Sequence, residues 1–299
     1  MFREVARYSS FRRAAEALYI TQPAVTQHIK ALESEMGTAL FDRSSAGVRL
    51  TSAGDTLLRF ADQSERALSE GLEAVAALHG ELRGHLRIAA STTIAQYLLP
   101  ALLGDFLRTH PAVELSLESA NTAQVVRAVL EGTAALGLIE GPAHRSQLRV
   151  TPWVEDELVL VVPPSHPWAQ QTVRVRDLAE AHLLLRESGS GTREVLEDAL
   201  STAGVPLTRL RAHMELGSTE TLLACVEAGM GVGFASRLAL TRQLKLKSLA
   251  IAKVQGLRVK RPLSIVQQRT PELHGPAAAF AEALAGFSST RKRKRSRPI

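Results

Sequence analysis

The chain has 299 residues, 45% of them apolar, so its length allows two or three domains with sizeable cores and excludes a disordered protein. Its single cysteine, Cys225, excludes a disulfide framework and a cysteine-based metal site, and the lack of a signal peptide or of an apolar run near about 18 residues predicts a cytoplasmic protein. The net charge of +6 says little about nucleic-acid binding, because six basic residues between Arg291 and Arg297 account for it and the remainder is close to neutral.

Two short helical patterns follow one another near the start of the chain. The first covers residues 11–18 and the second residues 25–36, each with one apolar stripe, and residues 19–21 separate them. Thr21 suits the N-cap of the second helix and Pro23 suits its first turn. The face opposite the second stripe carries side chains that can reach base edges and phosphates, namely Gln22, Thr26, Gln27 and Lys30. This arrangement predicts a helix-turn-helix.

A small hairpin is predicted directly after these helices. Gly37 is placed to end the second helix. Apolar residues at 40–41 and 48–50 then flank a polar turn at 44–47, which is typical of a wing. Arg43 and Arg49 lie on its two arms, where they could contact phosphates.

The run from Ala14 to Gly54 closely resembles the N-terminal domain of LysR-type transcriptional regulators. The matching residues are Ala14, Ala15, Leu18, Thr21, Gln22, Pro23, Ala24, Val25, Ile29, Leu32, Glu33, Gly37, Leu40, Phe41, Arg43, Gly47, Val48, Leu50, Thr51, Ala53 and Gly54. The resemblance implies an all-α winged helix-turn-helix domain at residues 1–51. That domain would bind double-stranded promoter DNA through Gln22, Pro23, Thr26, Gln27, Lys30, Arg43 and Arg49, in a homodimer or homotetramer that works with RNA polymerase. The alternative, a generic bundle of small amphipathic helices, explains the apolar stripe but not the Thr-Gln-Pro start or the wing.

One long helical pattern without proline covers residues 52–83 and is predicted to be a linker helix. Its apolar stripe alternates steps of four and three residues, close to a heptad seam, and has no partner within its own sequence. The residues predicted to pair with a second copy are Leu57, Leu68, Val75 and Leu78. The alternative is a helix that packs on its own domain.

From residue 84 to 288, short β-like runs alternate with helical patterns, which indicates an α/β fold with largely parallel sheets. Strands are predicted at 86–90, 113–118, 136–140, 158–162, 183–186, 213–216, 232–235 and 263–267, and helices at 96–109, 122–131, 192–203, 219–228 and 276–287. The region resembles the LysR effector domain, which has two lobes like a periplasmic binding protein. The resemblance implies a first lobe at about 84–160 and 265–288 and a second lobe at about 161–264.

Hydroxyl-rich turns follow several predicted strands and precede helices, where ligands of open α/β folds bind. These turns contain Ser91, Thr92 and Thr93 in one lobe, and Gly191, Thr192, Arg193, Ser218 and Thr219 in the other; Asn121 and Glu140 follow two further strands. Free N–H groups, hydroxyls and the Arg193 guanidinium favour a small anionic effector. The alternative is that these residues are only helix caps and turns.

Catalysis finds little support, because the sequence contains no metalloprotease, P-loop or serine-hydrolase motif and its histidines are scattered. We therefore predict a ligand-responsive transcription factor without a metal or cofactor and without enzymatic activity. The competing hypothesis is a binding protein or enzyme whose N-terminal helices only mediate assembly; the polar face of the second helix argues against it. The basic tail at 289–299 is predicted to be disordered.

Overall fold

The computed structural model describes residues 1–44, 47–78, 82–143, 145–206, 208, 210 and 212–295, apart from the side chains at 43–44, 70, 77–78, 212–213 and 288–295. The chain divides into two compact units, Met1–Leu72 and Glu73–Ile299. Within the described ranges, no helix is both long and apolar enough to cross a lipid bilayer.

The first unit is a helical domain with a two-stranded wing. Its elements are α1 Phe2–Tyr8, α2 Phe11–Ala17, α3 Gln22–Met36, β1 Phe41–Ser44, β2 Gly47–Leu50 and the start of the long helix α4 Ser52–Leu78. The Ser10 hydroxyl accepts the Arg13 N–H and so caps α2, while Tyr19 turns the chain with a φ of 56°. Gly37, with a φ of 66°, ends α3 in the left-handed conformation that glycine adopts without strain. Phe11, Val25 and other buried apolar residues then join the three helices into one core.

Helix α4 covers Ser52–Leu78 of the predicted linker at 52–83, and its apolar stripe serves more than one purpose. Residues 79–81 lie outside the described part of the chain, and the Glu73 carboxylate accepts the His85 N–H at 3.1 Å. Leu57 packs against the core of the first unit, in agreement with the alternative of packing on its own domain. By contrast, the Leu68 and Val75 side chains are 67% and 55% exposed. The Leu78 side chain lies outside the described residues.

The second unit contains ten strands and seven further helices among its described residues. The strands are β3 Gly84–Ser91, β4 Val113–Ala120, β5 Leu136–Ile139, β6 Leu148–Val162, β7 Thr172–Arg174, β8 Leu183–Arg186, β9 Ala212–Leu216, β10 Val232–Ser236, β11 Ala250–Gln255 and β12 Val259–Gln268. The α-helices are α5 Thr92–Tyr97, α6 Leu99–Thr109, α7 Thr122–Leu130, α8 Gly191–Thr202, α9 Thr219–Glu227, α10 Thr241–Leu246 and α11 Gly275–Arg295. Short 3₁₀ helices occupy Pro167–Gln170, Val175–Glu180 and Arg237–Leu240.

The two lobes share a sheet path that runs β4-β3-β5-β12-β6-β10-β8-β9. The outer strands of each lobe pair in parallel, as predicted, but β6 and β12 are antiparallel to each other and carry the chain from lobe to lobe. Val154 belongs to the core of lobe one and Leu158 to that of lobe two, and the same change separates Leu263 from Val259. Both crossings therefore come a few residues before the boundaries predicted at 160 and 265. Strand β11, which pairs with β6 and β7, and the edge strand β7 were not predicted.

Helix α11 belongs to lobe one and is longer than predicted. Phe280 and Leu284 are fully buried, and the Trp153 indole N–H donates to the Leu284 carbonyl at 2.7 Å. The helix continues to Arg295, whereas the sequence predicted a disordered tail from residue 289. Lysine and arginine are good helix formers, and positive charge is favourable near a helix C-terminus, so the basic run extends the helix. Residues 296–299 lie outside the described part of the chain.

Candidate functional site

The outer face of α3 presents the predicted DNA-reading residues together. Gln22, Pro23, Gln27 and Lys30 are exposed, Thr26 is half-buried, and all five line one shallow depression. None of the four polar side chains forms a hydrogen bond with another described residue, so their donors and acceptors face solvent. On the opposite face, Val25 and Ile29 are fully buried and fix the rotation of the helix, whereas Met36 at the end of the same stripe is exposed.

The wing is held against the end of α3 by a carboxylate. Glu33 accepts the N–H groups of Leu40 and Phe41 at 2.8 and 3.2 Å, which positions the first arm of the hairpin. Arg49 is exposed on the second arm, opposite Asp42 in the strand register. The backbone of Arg43 lies in β1, but its side chain lies outside the described residues.

In the second unit, the predicted hydroxyl turns meet between the two lobes. The Thr93 and Thr219 hydroxyls lie 3.4 Å apart across the junction, and the Ala123 N–H of lobe one donates to the Gly189 carbonyl of lobe two at 3.1 Å. Within lobe one, the Ser91 hydroxyl lies 3.2 Å from that of Thr122. These hydroxyls are buried, so they form a polar cleft where the two lobes meet.

Arg186, the last residue of β8, is the cation at the centre of this cleft. Its side chain is 3% exposed, and its Nη1 donates to the hydroxyls of Thr92 at 3.2 Å and of Thr219 at 3.0 Å, one in each lobe. Its Nε and Nη2 donate to the Glu187 carboxylate. Arg186 was not predicted from the sequence because it is the last residue of an apolar strand. The signal that could have identified it was an arginine at the carboxyl end of a buried strand, since a buried guanidinium requires a hydrogen-bonding or charged partner.

A second buried guanidinium joins the crossing strands to the cleft. Arg261 of β12 is 1% exposed in its side chain, and its Nε donates to the Asp156 carboxylate of β6 at 2.9 Å. Its Nη1 donates to the Thr192 hydroxyl at 2.8 Å, and its Nη2 lies 3.1 Å from Glu140 Oε2. The Asp156 carboxylate also accepts from the Ser236 hydroxyl at 2.7 Å. Arg261 was also missed, because its partners are distant in sequence.

Gly191 serves close packing of the lobes. A Cβ at this position would lie 2.4 Å from the Gly141 backbone nitrogen and 2.5 Å from the Thr122 hydroxyl oxygen. Neither contact is possible, so this part of the junction requires glycine.

Comparisons with known proteins agree with both halves of this description. Residues 1–55 match the family model of the bacterial regulatory helix-turn-helix protein, lysR family, and residues 79–288 match the LysR substrate binding domain. The chain belongs to the LysR family. It is a transcriptional regulator with a helix-turn-helix DNA-binding domain and a two-lobed α/β effector-binding domain, as its sequence predicted.

Curated relatives and solved structures place the chain among LysR regulators. It is 35% identical to the HTH-type transcriptional regulator CysL of Bacillus subtilis (strain 168) over 89% of this chain and 88% of CysL. It is 33% identical to a "Probable RuBisCO transcriptional regulator" of Synechocystis, over 97% of this chain and 85% of that protein. The structure of full-length CbnR complexed with its target DNA superposes with a TM-score of 0.71 at 26% identity, covering 96% of this chain and 97% of CbnR. The Synechocystis CcmR regulatory domain in complex with 2-PG gives 0.64 at 26% identity, over 69% of this chain and 98% of that domain.

In this LysR regulator, Arg193, which the sequence predicted to bind the effector, takes part in a network of ion pairs. Its guanidinium donates to the carboxylates of Glu197 at 2.8 Å and Glu215 at 2.6 Å, and to the Arg186 carbonyl at 3.1 Å. The hydrogen bond that Arg193 donates to Glu197 is the main cause that raises the pKa of Arg193, and the hydrogen bond that Arg193 donates to Glu215 lowers the pKa of Glu215. Arg186, seven residues earlier, is the cation that the fold brings among the hydroxyls.

Two other predicted effector residues of this regulator serve as helix caps. Asn121 Oδ1 accepts the Gln124 N–H at 3.0 Å while the Gln124 side chain accepts the Asn121 N–H, which is a capping box on α7. The Ser218 hydroxyl accepts the Thr221 N–H at 3.1 Å and caps α9. For Asn121 and Ser218, the structure agrees with the alternative stated from the sequence.

Proposed function

We propose that this LysR regulator reads a palindromic promoter site with α3 and the wing. Gln22, Thr26 and Gln27 contact base edges in the major groove, while Lys30, Arg43 and Arg49 hold phosphates and Pro23 shapes the helix start. The support is the exposed face of α3, whose amide and hydroxyl groups have no internal partner among the described residues. The similarity to CbnR, whose structure contains target DNA, points the same way.

The effector in this proposal is a small anion held between the lobes. Thr92 and Thr93 contact it from one lobe, Thr192 and Thr219 from the other, and Arg186 supplies a charge-assisted hydrogen bond. The observation that carries the proposal is the Nη1 atom of Arg186, which donates to Thr92 and Thr219 across the junction. A ligand that replaces Thr92 and Thr219 as the acceptor of Nη1 lies between the two lobes. The similar CcmR regulatory domain is in complex with 2-PG, a small anion of this class.

The output of the proposed switch is a change in operator affinity. A ligand that favours one arrangement of the lobes can shift the equilibrium only by its differential affinity for that arrangement. Couplings of this kind typically amount to about 1–3 kcal/mol. We further propose that the protein is cytoplasmic, that exposed residues of α4 such as Leu68 and Val75 pair with a second copy, and that the dimer or tetramer acts on RNA polymerase at the promoter.

The experiment is fluorescence anisotropy of the full chain on DNA that flanks its own gene, compared with shuffled DNA of the same composition. The titration is repeated with 2-phosphoglycolate, inorganic phosphate and sulfate at constant ionic strength, since salt alone weakens DNA binding. We expect specific binding that shifts roughly 5- to 150-fold with an effective anion, as that coupling predicts. Thr92→Ala should weaken the response to that anion. Equal binding to shuffled DNA would refute the DNA-reading part, and indifference to every anion would refute the effector part.

A further inference from the structure

Glu140 occupies the cleft as an anion that belongs to the protein itself. It follows β5, and its side chain is 2% exposed. One carboxylate oxygen accepts the Thr93 backbone N–H at 2.7 Å, and the other accepts the Thr192 hydroxyl at 2.9 Å and lies 3.1 Å from the Arg261 guanidinium. A single carboxylate therefore joins lobe one, lobe two and a crossing strand.

The donors around Glu140 are those that a small anionic ligand requires. A backbone N–H and a hydroxyl donate to one carboxylate, and both bonds strengthen when their acceptor is charged; the Arg261 guanidinium adds an ion pair, with its Nη2 atom 3.1 Å from the same carboxylate. A ligand carboxylate or phosphate placed between Thr93 and Thr192 would meet the same atoms. Both anions cannot use these donors together.

The charges of the cleft oppose the addition of a further anion. The guanidinium groups of Arg186 and Arg261 face the carboxylates of Glu140, Asp156 and Glu187 within hydrogen-bond or ion-pair distance. Carboxylates already outnumber cations in this set, so an added anion is repelled while Glu140 stays in place. When the Glu140 carboxylate leaves the cleft, cations and carboxylates in this set are equal in number, and the anionic ligand is no longer repelled.

Space for the departing side chain lies next to the cleft. Glu140 lines a cavity of about 830 Å³ whose other charged lining residues are Arg258, Lys260, Arg261 and Asp198, and Arg258 is paired with Glu157. The Lys260 side chain is exposed and forms no ion pair with a described residue. A carboxylate that rotates out of the cleft thus enters a space that already contains positive charge.

We propose that Glu140 is an internal anion that closes the empty cleft and competes with the effector for Thr93, Thr192 and Arg261. This inference rests on the proposed effector site and adds to it a competitor built into the chain. The effector is a small anion whose carboxylate or phosphate oxygens take the donors that the Glu140 carboxylate leaves, so one anionic group replaces the other. Effector binding replaces the charge-assisted bonds of Glu140 with those of the ligand. Glu140 therefore determines how tightly an anion must bind in order to displace it, and which anions can do so.

The test compares Glu140→Gln, Glu140→Asp and Glu220→Gln with the wild-type full chain. Glutamine keeps the shape but loses the charge, and the Arg261 ion pair with Asp156 remains. Aspartate keeps the charge but is too short to reach Thr93 and Thr192 together. Glu220, which accepts from Tyr97 across the same junction, is the matched control for loss of any lobe-bridging carboxylate.

Calorimetric titration with 2-phosphoglycolate, inorganic phosphate and sulfate gives the first readout. We expect Glu140→Gln to bind the best of these anions at least about tenfold more tightly than wild type, equivalent to about 1.4 kcal/mol. Glu140→Asp should lie between them, and Glu220→Gln should stay close to wild type. Hydrogen exchange gives the second readout: without ligand, segments 91–97 and 189–196 should exchange faster in Glu140→Gln, and the anion should restore protection.

The possible outcomes separate this inference from the proposed function. If the wild type binds an anion and Glu140→Gln binds it with equal or lower affinity, the internal-anion role is overturned and the effector site stays intact. Equal hydrogen exchange in wild type and Glu140→Gln would overturn the claim that Glu140 closes the empty cleft. If neither protein binds any of the three anions, the anionic effector site itself is refuted. Should Glu140→Gln fail to fold, the aspartate variant provides the same comparison.

Discussion

The reading face of α3 and the cleft between the lobes use similar side chains in opposite surroundings. On α3, Gln22, Gln27 and Lys30 face solvent with no bond to another described residue. In the cleft, Thr92 and Thr219 are buried and already bonded to Arg186. DNA therefore meets groups whose only competitor is water, whereas an effector must replace bonds that the protein makes with itself. Binding at the cleft is a net exchange, which suits a switch that responds to ligand concentration.

The first test asks whether operator binding requires two copies of the α3 face within one dimer. Leu68→Glu with Val75→Glu places like charges on an exposed apolar stripe of α4. We expect a monomer by sedimentation and a loss of operator affinity of roughly 10²-fold or more, since the second half-site no longer binds within the same complex.

The control for this double variant is Thr56→Glu with Gln63→Glu, which adds the same charge at exposed polar positions of α4. It should sediment as wild type does. A Leu68/Val75 variant that stays fully dimeric would move the interface to another surface.

The second test separates the cation found in the cleft from the cation predicted from the sequence. Arg186→Met removes a buried donor, and charge-assisted hydrogen bonds contribute about 1.5–3 kcal/mol, so anion affinity should fall roughly 10- to 100-fold. Arg193→Met breaks partly exposed ion pairs with Glu197 and Glu215, which contribute about 0–1 kcal/mol, and should change anion affinity little.

Calorimetry on both variants gives the comparison, with thermal melts to confirm folding. Arg186→Lys keeps the charge and should recover part of the affinity. A larger loss in Arg193→Met than in Arg186→Met would restore the role that the sequence gave to Arg193.

The third test concerns base recognition by α3. Gln27→Ala should reduce discrimination between operator and random DNA by about 1–3 kcal/mol, because a bidentate contact with a base edge is lost. Arg49→Ala should lower the affinities for operator and random DNA equally, since a phosphate contact carries no sequence information. It should also reduce the dependence of DNA affinity on salt concentration. Salt titrations on both DNAs measure these quantities. An unchanged specificity ratio in Gln27→Ala would mean that α3 lies in the groove in another orientation.

The fourth test examines the residues that the structure assigns to helix caps. Asn121→Ala and Ser218→Ala should each lower the free energy of unfolding by about 0.5–2 kcal/mol through loss of a cap. Anion affinity should stay within a factor of about two, because neither side chain is needed for the proposed site. Denaturant unfolding and calorimetry measure the two effects. A loss of affinity without a loss of stability would return these residues to the binding site.

The contrast between Arg186 and Arg193 shows where prediction from sequence ends. The face of α3 follows from local periodicity, because burial of Val25 and Ile29 fixes where Gln27 points. The order of strands and helices was predictable for the same reason. The partners of Arg186 and Glu140 are set by how two lobes meet, over separations such as the 94 residues between Thr92 and Arg186, and no local pattern encodes that meeting. The edge strand β7 has only three residues, which is too short for a periodic signal.

The most direct measurement is the dissociation constant of the effective anion, by calorimetry, with and without saturating operator DNA. Thermodynamic linkage requires that operator DNA change anion affinity by the same factor by which the anion changes operator affinity. If the cleft is the effector site of a DNA-binding switch, both factors should agree, at roughly 5- to 150-fold, and both should fall by the same amount in Arg186→Met. An anion dissociation constant that is the same with and without operator would contradict the account.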